Sequence, residues 1–182
     1  MIGTYDVVRT RGRSDAAHDI LGELPEWFGL EKFTDEYEEA ARKFPNYLAV
    51  DTHADTRCAE FRGAEVGALG TGALDGSRIP VDEVMGILLL DPRYDSTAEV
   101  HLLAVRRKHH RAGIGRALLR EVEDDMRSRG VRLLTVKTLG PSLPDPGYEQ
   151  TRAFYEAVGF LPVEEFPDMW VENPCLLMAK VL

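Results

Sequence analysis

Residues 98–119 read AEVHLLAVRRKHHRAGIGRALL, and the period of their apolar residues changes part-way along. Val100, Leu102 and Ala104 alternate with Glu99, His101, Leu103 and Val105, the two-residue period of a strand with two different faces. From Ile114 the apolar residues Ile114, Leu118, Val122 and Met126 recur every fourth position, with Leu119 beside them, which is one stripe on a helix. Between strand and helix lies Arg106-Arg107-Lys108-His109-His110-Arg111-Ala112-Gly113-Ile114-Gly115. A glycine-bearing turn at a helix N-terminus leaves backbone N–H groups pointing outward at the positive end of the helix dipole. With Arg and Lys side chains crowding the same turn, the segment is suited to an anion such as a phosphate.

Working outward, Gly130 sits where a helix would end, and Val131–Thr138 (VRLLTVKT) reads as the next strand. Strand, helix and strand make a crossover, so these two strands are expected to run parallel. Gly140–Gly147 holds Pro141, Pro144 and Pro146 and is read as a stiff loop ahead of a helix over Glu149–Val158. Phe160–Phe166 and Cys175–Val181 read as two final strands, joined by the segment 167–174. Upstream, Tyr5–Thr10 is a strand, and Ser14 is placed to cap a helix that Pro25 interrupts. Trp27, Phe28 and Leu30 form an apolar elbow before a second helix, capped by Thr34 and running to about Lys43. These helices either line a cleft or pack on a sheet. Asn46–Asp51 and Val84–Asp91 are further strands, the latter ending at Pro92. Residues 52–82, glycine-rich and without a clear period, read as an insertion, either a lid or a surface excursion. Strands alternating with helices and closing on a hairpin give an α/β fold with a mixed sheet.

At 182 residues the chain is expected to be one domain spanning 1–182. A formal charge of −9 argues against nucleic acid as a partner and makes the basic run at 106–111 an exception to the whole chain. An acidic remainder suits an amine-bearing substrate, or solubility alone. Cys58 and Cys175 make neither a disulfide framework nor a metal set, so no metal is expected and a reducing, cytoplasmic setting is the default. No stretch has the length and apolarity of a signal peptide or a membrane span, so no membrane association is expected.

The turn does not fit the common phosphate-binding signatures. Leu118 stands where the dinucleotide fingerprint wants a third glycine, and Gly115-Arg116-Ala117 lacks the Lys-Ser/Thr of a P-loop. The order strand, x-x-G-x-G turn, helix, strand, followed by Phe154-Tyr155-Glu156-Ala157-Val158-Gly159-Phe160, instead resembles the GNAT superfamily of acetyl-CoA-dependent N-acetyltransferases. Leu24-Pro25-Glu26-Trp27-Phe28, Lys137-Thr138-Leu139-Gly140-Pro141-Ser142 and Glu172-Asn173-Pro174-Cys175 are similar to a bacterial subgroup of acetyltransferases whose acceptors are unassigned.

The resemblance implies a mixed, mostly antiparallel central sheet flanked by helices, with one parallel β–α–β crossover. It implies acetyl-CoA as co-substrate, its pantetheine pairing with the backbone of Leu103, Ala104 and Val105. Its pyrophosphate would sit on the N–H groups from Arg111 through Ala112, Gly113 and Ile114 to Gly115. The family's motif opens with Gln or Arg where this chain has His110, so Arg111 or Arg116 would take over that side-chain contact. Glu99 matches a strand glutamate that serves as general base, His101 is its rival on the same face, and water is the third candidate. The Val105 N–H would polarise the thioester carbonyl, and Tyr155 matches the general acid. Tyr148 stands where many members carry Asn; it, Trp27, Phe28, Trp170 and Glu172 are the expected acceptor-side residues. The expected activity is acetyl transfer to a primary amine. A catalytically silent acyl-CoA-binding module is the alternative, and the terminal strands could support a homodimer.

Overall fold

The computed structural model describes residues 5–28, 31–51, 78–170 and 173–182, with only the backbone described at 31–33. Its elements, in chain order, are β1 (Tyr5–Arg11), α1 (Ser14–Gly22), α2 (Pro25–Phe28), α3 (Glu31–Lys43), β2 (Pro45–Asp51), β3 (Val84–Tyr94), β4 (Thr97–Val105), α4 (Ile114–Ser128), β5 (Leu133–Leu139), α5 (Pro146–Ala157), β6 (Leu161–Trp170) and β7 (Asn173–Val181). Single 3-10 turns at Val81–Glu83 and Arg107–His109 precede β3 and follow β4. The strands form one seven-stranded sheet in the order β1-β2-β3-β4-β5-β7-β6. Pairing is antiparallel for β1–β2, β2–β3, β5–β7 and β6–β7, and parallel for β4–β5, from Thr97↔Leu133 to Val100↔Val136. The mixed sheet and its one parallel crossover are as the sequence led us to expect.

The chain divides into two compact units, Met1–Leu89 with Leu102–Glu121, and Leu90–His101 with Val122–Leu182. In the first, Ala16, Ala17, Ile20 and Leu21 of α1 and Ala40 and Ala41 of α3 are buried with Leu48, Val50, Ile87, Leu89, Leu102 and Ala104. Small residues on both helices allow close approach, and the strands supply the branched apolar surface. In the second, Leu134, Val136, Tyr155, Phe160, Cys175 and Met178 are buried. There Lys180 Nζ donates to Glu123 Oε1 (2.5 Å) and to Val158 O (2.7 Å), tying β7 to α4 and to the end of α5.

Several boundaries differ from the sequence reading. Ser14 is the first residue of α1 rather than its cap. The cap is Arg13, whose N–H donates to Asn46 Oδ1 (2.9 Å) and whose guanidinium forks onto Asp15 (2.8 and 3.0 Å). Pro25 and Pro146 each open a helix, where a missing N–H costs nothing. Thr34 lies inside α3, not at its start. Strand β3 runs through Pro92 to Tyr94, and β6 and β7 extend through Pro167 and Pro174, so the expected 167–174 connection is mostly strand. The insertion lies outside the described residues except for 78–82, and so do Leu30 and Cys58.

The stripe on α4 is as read: Ile114, Leu118, Leu119, Val122 and Met126 are buried. The helix ends on Gly130 at φ +80°, with Val131 N–H donating to Met126 O (3.0 Å) in a Schellman closure. A side chain at that left-handed position costs about 1–2 kcal/mol. Gly130→Ala is therefore expected to lower the unfolding free energy by about 1 kcal/mol in urea denaturation, with no change in steady-state rates.

Candidate active site

Strand β4 carries the site's first residues because its alternation buries one face. Ala98, Val100, Leu102 and Ala104 are buried, whereas His101, Leu103 and Val105 on the other face are half-buried. Glu99 shares that second face and is nevertheless buried, at 6% exposure. Its Oε2 accepts from Lys137 Nζ (2.7 Å), Arg93 Nη2 (3.0 Å) and Arg93 Nε (3.2 Å). Arg93 also reaches Asp91 Oδ2 (3.1 Å), which makes a cluster of Asp91, Arg93, Glu99 and Lys137 drawn from β3, β4 and β5. His101 sits in the same field. Burial pushes its imidazole below the ordinary histidine range; Glu99 and Asp91 pull it back, while Arg93 and Lys137 push with burial. At neutral pH this side chain is uncharged.

Tyr155 on α5 is buried, its ring edge-on to Phe154 and Phe160 with centroids 5.4 Å away in both cases. Tyr148, expected just ahead of the helix, lies in the first turn of α5, where its N–H donates to Asp145 Oδ1 (2.9 Å). Burial first, then Asp145, holds its hydroxyl above the ordinary tyrosine range, so it stays protonated. The stiff segment before α5 is held by Glu165 of β6, whose Oε1 accepts from Ser142 N (3.1 Å) and Ser142 Oγ (2.5 Å). Cys175 is buried and its thiol is pushed up by burial, which leaves it unreactive. Trp170 is half-buried at the end of β6, and Glu172 lies outside the described residues.

The basic turn is built differently from the sequence reading. Arg106 is 4% exposed and turned into the protein. Its Nε donates to Val84 O (2.6 Å) and its Nη2 to Val81 O (2.8 Å) and Asp19 Oδ2 (2.5 Å), while Nη1 is paired with Glu23. Burial alone would lower its proton affinity; the bonds to Asp19 and Glu23 outweigh that and hold the guanidinium charged. Arg107 reaches Glu26 Oε2 (2.5 Å) and Glu23 O (3.1 Å). Burial, then Lys108, holds His109 below the usual histidine range. Two arginines thus anchor the turn to α1 and α2, and Lys108, Arg111 and Arg116 are further exposed cations of this segment.

Backbone geometry at the turn fits an anion. The first intrahelical bond of α4, Ala117 N–H to Gly113 O (3.0 Å), leaves the N–H groups of Ile114, Gly115 and Arg116 ahead of it. Ala112 N–H, by contrast, is directed at His109 O (3.4 Å). Arg111 and Gly113 have φ of +64° and +83°; a Cβ on Gly113 would meet nothing nearer than Tyr5 Oη at 3.7 Å, so glycine is needed there for conformation rather than for space. His110, in the place of the motif's Gln or Arg, joins its Nε2 to Val105 O (2.8 Å). Since a carbonyl only accepts, that nitrogen carries the proton. The ring meets Trp27 edge-on at 6.1 Å. Trp27 and Phe28, expected on the acceptor side, pack against the core of α1 and α3. Phe28 meets Tyr37 at 5.5 Å.

The model of the acetyltransferase (GNAT) family matches residues 24–160, which spans both the turn and the Tyr155 helix. The chain belongs to the GNAT acetyltransferase family. It is accordingly an N-acetyltransferase with acetyl-CoA as co-substrate. Among solved structures it is similar to a GNAT-family protein of Desulfovibrio desulfuricans (18% identity, TM-score 0.72, 98% of this chain and 99% of that one). It is also similar to a GNAT-family acetyltransferase of Elizabethkingia anophelis with acetyl-CoA bound (17%, 0.60, 98% of each). A third is an aminoglycoside 6'-N-acetyltransferase complexed with coenzyme A (20%, 0.61, 96% of each). No curated protein matches the sequence. Among the described residues no helix is long and apolar enough to cross a membrane.

Sequence reasoning missed Asp91, Arg93 and Lys137 as partners of Glu99. The available signal was the two-residue spacing Asp91-x-Arg93 and Glu99-x-His101 on either side of a short turn. Because the Arg106 guanidinium satisfies two buried carbonyls, each costly to leave bare, Arg106→Met is expected to lower stability by about 2–3 kcal/mol. Urea denaturation followed by circular dichroism measures this; a loss below about 0.5 kcal/mol would mean the anchor is dispensable.

Proposed function

We propose that the enzyme acetylates a primary amine by direct attack, with His101 as the general base, Glu99 as an electrostatic partner, and Tyr155 as the general acid. The observation that carries this reading is the division between two residues on one strand face. The Glu99 carboxylate is engaged by Lys137 and Arg93, whereas the His101 imidazole is kept neutral by burial. A base must be unprotonated at working pH and must have a lone pair to offer; His101 meets the first condition more simply than a carboxylate held between two cations.

In the proposed step the amine nitrogen forms a bond to the thioester carbonyl carbon and the carbon–sulfur bond breaks. His101 takes the proton released from nitrogen. Tyr155 gives its proton to the departing thiolate, and solvent restores both groups, so the products are an acetamide and free CoA. The Val105 N–H is the proposed donor to the developing oxyanion, a role worth about 10²–10³-fold. The pyrophosphate is assigned to the N–H groups at the start of α4, with Arg111 and Arg116 as side-chain partners, and the pantetheine to the backbone of Leu103 and Val105. His110 Nε2 donates to Val105 O (2.8 Å), which holds in place the residue whose N–H is the proposed oxyanion donor.

The acid limb of kcat/KM tests the base. Protonation removes the base, and burial lowers the pH at which His101 takes its proton, so the limb is expected below about pH 6.5, the ordinary histidine value. His101→Gln is expected to lower kcat by about 10²–10³-fold and to abolish that limb. A limb that persists in His101→Gln would return the role to Glu99 or water. Tyr155→Phe is expected to lower kcat by about 10²-fold while acetyl-CoA affinity, read by calorimetry, stays within twofold. Equal losses in both would remove the acid assignment.

A further inference from the structure

The exposures within the Asp91–Arg93–Glu99–Lys137 cluster run opposite to what a cationic acceptor needs. The side chains of Arg93 and Lys137 are 43% and 27% exposed, whereas those of Asp91 and Glu99 are 12% and 9% exposed. The carboxylates lie underneath and the cations lie outside, so an incoming molecule meets positive charge first. The formal charges cancel within the cluster, with His101 uncharged beside it, so no negative charge is left over to hold a second ammonium on a polyamine.

The donors are also only partly engaged. In these pairs Arg93 uses Nε and Nη2, leaving its Nη1 edge, and Lys137 gives one of three ammonium protons. A guanidinium edge and an ammonium beside each other form a fork and a point charge, the donor set that a carboxylate accepts from most readily. Both are fixed from behind by buried carboxylates, so little side-chain freedom would be lost on binding.

We infer that the amine accepted by this enzyme also carries a carboxylate, which Arg93 and Lys137 hold while the amine faces His101. The inference rests on acyl transfer taking place at His101 as proposed above. It names the acceptor class as amino carboxylates and sets it apart from polycationic amines. It also accounts for a strongly acidic protein presenting its cations here.

The test is a matched panel of α-, β- and γ-amino acids, their carboxamides, and the amines lacking the carboxyl group, followed by release of CoA thiol from acetyl-CoA. An amino carboxamide has the less basic amine and holds more of it unprotonated at neutral pH, so without a carboxylate site the carboxamides would react faster. The expected result is the reverse, with at least one free acid exceeding its carboxamide about tenfold or more in kcat/KM. Arg93→Gln is expected to collapse that ratio to about one, because KM rises for the acid alone, while any change in the charge on His101 alters kcat for acid and carboxamide alike. A ratio at or below one in the unaltered protein, or one that Arg93→Gln leaves in place, would overturn the inference while leaving acyl transfer intact. Release of no CoA with any member, acids and neutral amines alike, would instead remove acyl transfer, and the inference with it.

Discussion

The end of β4 is fixed by one buried guanidinium. Arg106 lies directly after Val105, and removing its charge from water is costly unless every donor finds an acceptor. Two carbonyls, Val81 O and Val84 O, and two carboxylates, Asp19 and Glu23, accept four bonds from its five N–H groups. The carbonyls flank the 3-10 turn that leads into β3, and the carboxylates belong to α1 and the residue after it. A single side chain therefore sets where the strand stops and where the following turn begins. Arg106 N–H donates to Met85 O (2.9 Å), so the backbone is held at the same point. Because the guanidinium is turned inward, the outward face of the turn is left to backbone amides and to the exposed Lys108 and Arg111.

That arrangement changes how the charge of the sequence should be understood. A run of Arg106-Arg107-Lys108-His109-His110-Arg111 suggests an electrostatic anion site, yet much of its charge is directed elsewhere. Arg106 and Arg107 are paired with acidic residues on either side of Pro25, and burial keeps His109 neutral. His110 uses its ring N–H to hold a strand carbonyl instead of offering it to a ligand. What remains for a phosphate is mainly a set of oriented N–H groups, which discriminate by position rather than by charge. The same economy appears at Glu99, where Arg93 and Lys137 stand against a carboxylate that the net charge of −9 would suggest was unopposed.

The legible features were those with a local cause. The alternation at Val100, Leu102 and Ala104, the stripe from Ile114 to Met126 and the glycine at 130 each follow from a period or a dihedral, and each stands in the structure as read. Prolines misled where they were taken to exclude regular structure, at positions 92, 146, 167 and 174. Pro146 begins α5 because its missing N–H belongs to a turn that has no acceptor for it, and Pro92, Pro167 and Pro174 are accommodated in strands. Capping misled at Ser14 because Arg13 competes with a long-range bond to Asn46, thirty-three positions away, which no local window contains. The candidate residues Glu99, His101 and Tyr155 could be named from the sequence, but the partners of Glu99 could not. Whether a carboxylate is bare or neutralised depends on which side chains the sheet brings beside it, and Lys137 arrives across the parallel β4–β5 pair, thirty-eight positions from Glu99.

In the proposed mechanism a neutral imidazole and a paired carboxylate, two positions apart on a strand, would serve the same proton in different ways. Burial disfavours the imidazolium, which keeps His101 ready to accept; the same burial would make it a poor acceptor if nothing compensated when the proton arrives. Glu99 and Asp91 supply that compensation, since both favour the charged ring, while Arg93 and Lys137 oppose it. With two anions and two cations in balance, the resting ring stays neutral, and a protonated ring adds one positive charge to a cluster that holds carboxylates near it. Shifting that balance toward the anions would charge the ring at rest, and shifting it toward the cations would weaken it as a base. If His101 is the base as proposed, Arg93 and Lys137 bear on the proton chemistry even though neither handles the proton.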